Sequence, residues 1–260
     1  MLLIVILIVT TIYMVIMNGK IEKTITYFPL NEENNFKEAA TSLNVSQVTN
    51  TVHWHVKSIS DQVAYLRQDI ALLYLNGHLK GVLNKWEQEA QSITQAETIT
   101  SNEETAYFQA ISLHHGEFHD ENEITSIQQM STAEAYLHKN KAKKNNYQTK
   151  QEINSQLQAF WKNLMNEYNL DEEDYSSYPL TEIKDLSHDL SMAFSSNISE
   201  PVIGRLWEGL YRNYILEAAH ANANDMMPLI LLAKDYSHLT ILYTINGENN
   251  QLIQRLQASH

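Results

Sequence analysis

The sequence predicts an α+β protein in which an N-terminal membrane-anchor helix precedes a soluble body of long amphipathic helices and antiparallel β-hairpins. Three observations lead to this class. Residues 1–17 carry no charged side chain. Residues 52–93 space their apolar side chains by three and four positions, which is the period of a helix. Residues 105–130 and 229–245 instead show the alternation or the short apolar runs of paired strands.

The first 17 residues have the composition of a membrane anchor. As a helix they would span about 25 Å, slightly less than a hydrocarbon core of about 30 Å. They lack the basic start and the small-residue cleavage site of a cleaved signal peptide, which favours an uncleaved anchor. A cleaved signal peptide is the alternative. The sequence therefore predicts a transmembrane anchor over residues 1–18 that contacts membrane lipid through residues 1–17, and a single-pass cell-membrane localisation.

Features of the sequence point to opposite sides of the membrane for the soluble body. Lys20 and Lys23 follow the anchor and favour a cytoplasmic body by the positive-inside rule. The absence of cysteine and the order of an anchor followed by a soluble part favour the opposite side. We expect the body to be extracytoplasmic.

The rest of the chain divides at a lysine-rich stretch. Residues 139–150 contain five lysines and few apolar side chains, which indicates a linker or a surface loop. We expect a connector at 19–41, a helical and β-hairpin region at 42–138, and helices followed by a β-hairpin at 151–260. The two larger regions form either one domain or two.

A helical stripe is the strongest periodic signal in the chain. Its apolar positions alternate in steps of four and three through Val52, Val56, Ile59, Val63, Leu66, Ile70 and Leu73. The pattern predicts a helix over residues 48–75 and a second helix after a break near Asn76–Gly77. Such a helix either packs on its own domain or contacts a protein partner or a second copy of the chain as a coiled coil.

The β signals and the remaining helices come later in the chain. Residues 105–115 and 124–130 predict a hairpin, and the apolar runs 229–233 and 239–245 predict a second hairpin in the core or at an interface. Between them, apolar positions spaced by three and four predict three helices, which lie near residues 153–168, 183–194 and 201–215.

Composition excludes several classes of function. The formal net charge is −13 and only four of the 18 basic residues are arginine, which argues against nucleic acid as a partner. None of the seven glycines falls in a phosphate-binding motif, which argues against a nucleotide. Without cysteine, the chain forms no disulfide, thiolate nucleophile or iron–sulfur cluster.

One cluster has the residue types of a metal site. His115, Glu117 and His119 would point to one face of a strand, where two imidazoles and a carboxylate suit zinc or another divalent metal. The order His-x-Glu-x-His is not a protease zinc motif, and Gly116 favours a turn that would break the alternation. An exposed turn is therefore the competing interpretation.

These observations predict a non-enzymatic binding or accessory domain, without a cofactor, that is tethered to a membrane. The alternative is a metal-dependent hydrolase that uses His115, Glu117 and His119, with an open position on the metal that activates water. Stoichiometric metal in the purified protein would separate the two.

Overall fold

The structure, a computed structural model, describes residues 27–120, 123–138, 145–194, 196–219 and 225–256. Strands dominate these ranges. The first five strands are β1 (Phe36–Ser46), β2 (Thr51–Leu75), β3 (His78–Thr100), β4 (Thr105–His119) and β5 (Ile124–His138). The later strands are β6 (Tyr175–Pro179), β7 (Leu229–Ala233), β8 (His238–Ile245) and β9 (Glu248–Arg255). The helices are α1 (Asn146–Glu167), α2 (Ile183–Ala193) and α3 (Ser196–Leu210), and α3 continues through a π turn (Tyr211–Ile215) and a short α turn (Leu216–Ala218).

The first sheet is organised around β2. On one side β2 pairs with β3 along nearly its full length, and on the other side it pairs with β1 and then with β4. The hairpin between β4 and β5 completes this antiparallel sheet of five strands. Asn76 and Gly77 form the turn between β2 and β3 with φ of 51° and 83°, the left-handed conformation that two-residue hairpin turns require.

The helices predicted over 48–75 and beyond Asn76 are therefore wrong, and strands β2 and β3 take their place. In the first half of β2 the buried residues alternate, and polar Ser58 and Ser60 occupy buried positions between the apolar ones. In the second half, from Arg67 to Leu75, every residue is buried. A strand that is buried on both faces no longer alternates apolar and polar residues. The alternating first half and the continuously apolar second half together give apolar residues at the three- and four-residue spacing of a helix. Val63, a member of the stripe, is 58% exposed.

Two cores lie on opposite faces of the β2–β4 layer. Ala71 and Leu73 of β2 pack with Trp54 and Phe108 in the core that the first sheet encloses as it bends back on itself. On the opposite face, residues such as Leu72 pack in the core formed with the helices and the second sheet. Burial on both faces follows from this arrangement of two layers.

The second sheet is antiparallel in the order β6–β7–β8–β9. The predicted hairpin of residues 229–233 and 239–245 is confirmed as β7 and β8, and every residue of β7 is buried. The hairpin predicted at 105–130 is confirmed as β4 and β5, and the three predicted helices are confirmed as α1, α2 and α3. The Trp161 indole of α1 donates a hydrogen bond to the Met227 carbonyl at 2.9 Å and fixes α1 beside this sheet.

The predicted α+β class with long amphipathic helices is thus corrected to a β-rich fold. The predicted single-pass membrane protein is corrected as well, since no helix in the described part of the chain is long and apolar enough to cross a bilayer. The anchor segment 1–17 lies outside the described residues, as do residues 139–144 of the predicted linker. The last residues of that stretch already belong to α1, whose first turn is capped by the Asn145 side chain.

Candidate functional site

The three predicted metal ligands come together on one face of β4. The strand continues to His119 without a turn at Gly116, so the alternation holds. The Glu117 carboxylate lies 3.2 Å from Nε2 of His115 through Oε1 and 3.2 Å from Nε2 of His119 through Oε2. His115 and Glu117 are buried, whereas the His119 side chain is 30% exposed and stacks on Tyr65 at 3.9 Å between ring centroids.

This cluster is a carboxylate shared by two imidazoles. Burial raises the pKa of Glu117, but the hydrogen bonds and charges of His115 and His119 outweigh burial and leave that pKa below its ordinary value. No group of three or more His, Asp or Glu side chains in the described ranges is placed to hold a metal ion. The assignment of a metal to these residues stays a prediction.

A row of unpaired polar atoms crosses the sheet at His115. Trp86 of β3, Gln68 of β2, His115 of β4 and Gln128 of β5 lie opposite one another in register. The buried Nε1, Oε1, Nδ1 and Nε2 atoms of these residues, respectively, have no hydrogen-bond partner within the described residues. Leaving such atoms unpaired destabilises the folded protein. The stability of variants in this row therefore tests whether these atoms are unpaired.

The opposite face of the same strands carries a buried charged network. Asp69 of β2 lies directly opposite His114 of β4, and its Oδ2 is 2.9 Å from Nδ1 of His114. Ser58 donates to the same oxygen at 2.6 Å, and the Arg67 guanidinium lies 3.5 Å from Oδ1. Asp69, Arg67 and His114 are completely shielded from solvent.

All three side-chain nitrogens of Arg67 donate hydrogen bonds. Its Nε donates to the His115 carbonyl at 3.1 Å, and its terminal nitrogens donate to Ser58, Ser60 and the Gln91 carbonyl. Burial lowers the pKa of Arg67, and the nearby Asp69 offsets part of that effect. Gly116 leaves room for this side chain, since a Cβ there would lie 3.1 Å from Cδ of Arg67.

The network also includes a serine, and an aspartate, a histidine and a serine follow one another as in a catalytic triad. Nε2 of His114 lies 2.8 Å from the Ser131 hydroxyl, so Asp69, His114 and Ser131 have the contacts of a nucleophilic triad. The Ser131 hydroxyl is covered by Thr41 of β1 at 2.7 Å and is buried. Together with Thr41, the triad therefore links β1, β2, β4 and β5, and its three side chains are shielded from solvent.

A cleft of about 670 Å³ lies between α1 and strand β6. Its volume is within the range of about 300–1,000 Å³ that is usual for ligand sites. Apolar side chains from α1 and β7, together with Met227, form part of the lining: Leu157, Trp161, Met165, Met227, Leu229 and Leu231. Polar residues form the rest, including Gln109, Gln158, Lys162, Glu172 and Glu182.

Strand β6 borders this cleft. The hydrogen bonds from Lys234 N–H to the Asp174 carbonyl (2.9 Å) and from Leu180 N–H to the Pro228 carbonyl (3.0 Å) set the phase of its pairing with β7. In an antiparallel pair only alternate residues bond across the ladder. Tyr175, Ser177 and Pro179 therefore direct their main-chain groups away from β7, along the edge of the sheet. These three residues and Leu229 and Leu231, on the same face of the sheet, line the cleft.

Neither the cleft nor the buried network was predicted from the sequence. The network had one local signal, namely polar residues two positions apart within apolar strands, at 58 and 60 and at 67 and 69 in β2. The cleft had none, because its walls come from β4, α1, β6 and β7.

Comparison with known proteins gives no relative. The chain matches no protein-family model, no curated protein and no solved structure.

Proposed function

We propose that the chain is a non-enzymatic binding protein that captures an extended peptide segment of a partner protein as an additional strand on β6. The proposal rests on one observation: β6 is an edge strand that pairs only with β7 among the described residues, and its edge borders a cleft whose other wall is a helix. A peptide in this groove forms main-chain hydrogen bonds with the edge and places alternate side chains against the wall.

The dimensions of the cleft suit a short extended peptide. Strand β6 has five residues, which corresponds to about 17 Å of extended chain. Side chains on one face of the peptide would contact Trp161 and Leu231, and those on the other face would point to solvent. Main-chain hydrogen bonds supply affinity, and the contacts with the apolar wall supply selectivity.

The composition of β6 supports this edge in particular. Exposed edge strands commonly carry charged side chains that prevent pairing. Strand β3, whose outer edge is free over a much longer distance in the described residues, carries Lys85, Glu87 and Glu89. Strand β6 carries no charged residue, and its central Ser176 and Ser177 are exposed and small. An incoming strand therefore meets no charge on β6 itself.

Substitutions at Ser177 test the pairing. The probe is a peptide selected from a displayed random library on the intact chain. Ser177→Pro removes an N–H that points away from β7, so it costs no hydrogen bond to β7, whereas Ser177→Ala keeps that N–H. We expect Ser177→Pro to weaken binding about tenfold, the value of one hydrogen bond of about 1.4 kcal/mol, and Ser177→Ala to bind as the original protein does. Circular dichroism and the unfolding midpoint monitor the fold.

Filling the cleft gives a second, independent test. Gln158 lines the cleft and Gln156 lies on another side of the same helix, and both are exposed. Gln158→Trp is expected to abolish peptide binding, and Gln156→Trp is the matched control that keeps it. Peptide binding that tolerates both Ser177→Pro and Gln158→Trp would refute strand addition to β6, as would a selection that yields no binding peptide.

A second candidate function is favoured by a separate observation, the convergence of His115, Glu117 and His119. It is metal-dependent hydrolysis, in which a bound zinc or other divalent metal would activate water. We place it second because both oxygens of Glu117 already accept hydrogen bonds from the two imidazoles.

A further inference from the structure

The end of the cleft near Pro179 is lined by hydrogen-bond acceptors. The carbonyl oxygen Oε1 of Gln109 is buried and has no hydrogen-bond partner among the described residues. The amide of the same side chain is oriented by Thr181, whose hydroxyl lies 3.4 Å from Nε2. Glu182 lines the cleft at the same end, one residue after Thr181. A ligand group at this end must therefore bring donors.

The charges around Glu182 favour a positive donor. Burial raises the pKa of Glu182, the neighbouring Asp185 raises it further, and Lys150 lowers it in part. Lys150 is bound to Glu134 at 2.9 Å, which leaves Glu182 without an ion pair to it. At the other end of the cleft, Lys162 and Glu172 neutralise each other at 3.0 Å. The Pro179 end is thus the acidic end, on a chain whose formal net charge is −13.

We infer that Gln109 and Glu182 bind a cationic nitrogen of the captured peptide, supplied by a lysine or arginine side chain or by the peptide's amino-terminus. This inference rests on the proposed strand addition and adds a selection for positive charge at one position. An ammonium or guanidinium group carries several N–H donors. One of them satisfies the buried Gln109 oxygen, and another reaches the Glu182 carboxylate at the rim.

The two acceptors should contribute unequally. Gln109 presents a buried atom, and a hydrogen bond to a charged donor there is worth about tenfold in affinity. Glu182 is exposed, so its attraction is weakened by solvent and salt and is worth about threefold. Affinity for basic peptides should therefore fall as ionic strength rises, with a smaller dependence in Glu182→Gln.

The experiment compares matched peptides on three variants of the intact chain. Library-selected peptides are measured as such, with each basic residue replaced by methionine, and with the amino-terminus acetylated. We expect Gln109→Met to lose about tenfold and Glu182→Gln about threefold in affinity for the basic peptide, and neither to change affinity for the peptide that lacks its cation. Glu87→Gln on β3, a residue outside the cleft lining, is the control and should bind as the original protein does.

The outcomes separate this inference from the proposed function. If Gln109→Met and Glu182→Gln bind the basic peptide as tightly as the original protein does while Ser177→Pro still weakens binding about tenfold, the selection for charge is refuted and strand addition stands. If acetylation alone removes the effect of the two substitutions, the cation is the amino-terminus. If methionine replacement alone does so, the cation is a side chain. Insensitivity to Ser177→Pro as well refutes both proposals.

Discussion

Replacing Asp69 with asparagine should destabilise the protein by about 3–5 kcal/mol. The substitution keeps the shape of the side chain but removes its charge, while Arg67 stays buried a few ångströms away with no exposure to solvent. Removing one partner of a buried ion pair leaves an uncompensated charge, and this is the cost measured for such changes. Asparagine keeps one oxygen, so an amide NH2 faces either Arg67 or Ser58 and His114, which lie 2.6 Å and 2.9 Å from Oδ2 in the original protein.

The measurement is equilibrium unfolding in urea, followed by tryptophan fluorescence and circular dichroism. Total stabilities of domains are about 5–15 kcal/mol, so a loss of this size moves the midpoint clearly. Glu87→Gln is the control, because Glu87 forms an exposed pair with Lys85 at 2.9 Å and such pairs contribute at most about 1 kcal/mol. A cost below about 1 kcal/mol for Asp69→Asn would refute the assignment of a charged, desolvated network.

Three further outcomes test other parts of the structure. Gly116→Ala should cost about 1 kcal/mol or more in urea unfolding, because the new Cβ would lie 3.1 Å from an Arg67 side chain that hydrogen bonds hold in place; a neutral result would contradict this. Trp86→Phe should change stability by less than about 0.5 kcal/mol, since removing an indole N–H that is unpaired within the described residues offsets the packing lost with the smaller ring, and a larger loss would contradict this. The predicted metal site requires stoichiometric zinc in protein purified without a histidine tag, lost in His119→Ala, and an unfolding midpoint that zinc leaves unchanged would contradict it.

The parts of the fold that could be predicted are those where one local pattern decides the structure. Strands β7 and β8 are short apolar runs separated by a polar turn, and α1 presents one apolar face at regular spacing. Strand β2 could not be recognised, because its two halves obey different rules. The first half is buried on one face, and the second half lies between two cores.

The candidate site shows a similar division. The shared face of His115, Glu117 and His119 follows from strand alternation alone, and the structure places them together. The cleft depends on Gln109, residues of α1 and β6, and Met227 of a later segment, whose proximity is set by tertiary packing. Sequence spacing carries no information on contacts of that kind.

The buried network bears on the register of β2, which the apolar pattern of this strand does not fix. Where a strand is apolar on both faces, the hydrophobic pattern no longer fixes its register, and a slip of one residue exchanges the faces at little cost. Asp69 lies directly opposite His114, and Arg67 directly opposite Gly116. These pairs satisfy their hydrogen bonds in one register only, so we interpret the network as the element that specifies the pairing of β2 with β4.

This interpretation predicts that a variant without the network stays folded but no longer has a single strand register. Replacing Arg67 with methionine and Asp69 and His114 with leucine removes the desolvated charges together, so it should cost much less than Asp69→Asn alone and leave the protein folded. The same variant should lose its single register, which would appear as extra amide resonances for β2 and β4 in a two-dimensional nitrogen–proton NMR spectrum. One sharp set of resonances from the triple variant would show that packing alone specifies the register and that the charges have another purpose.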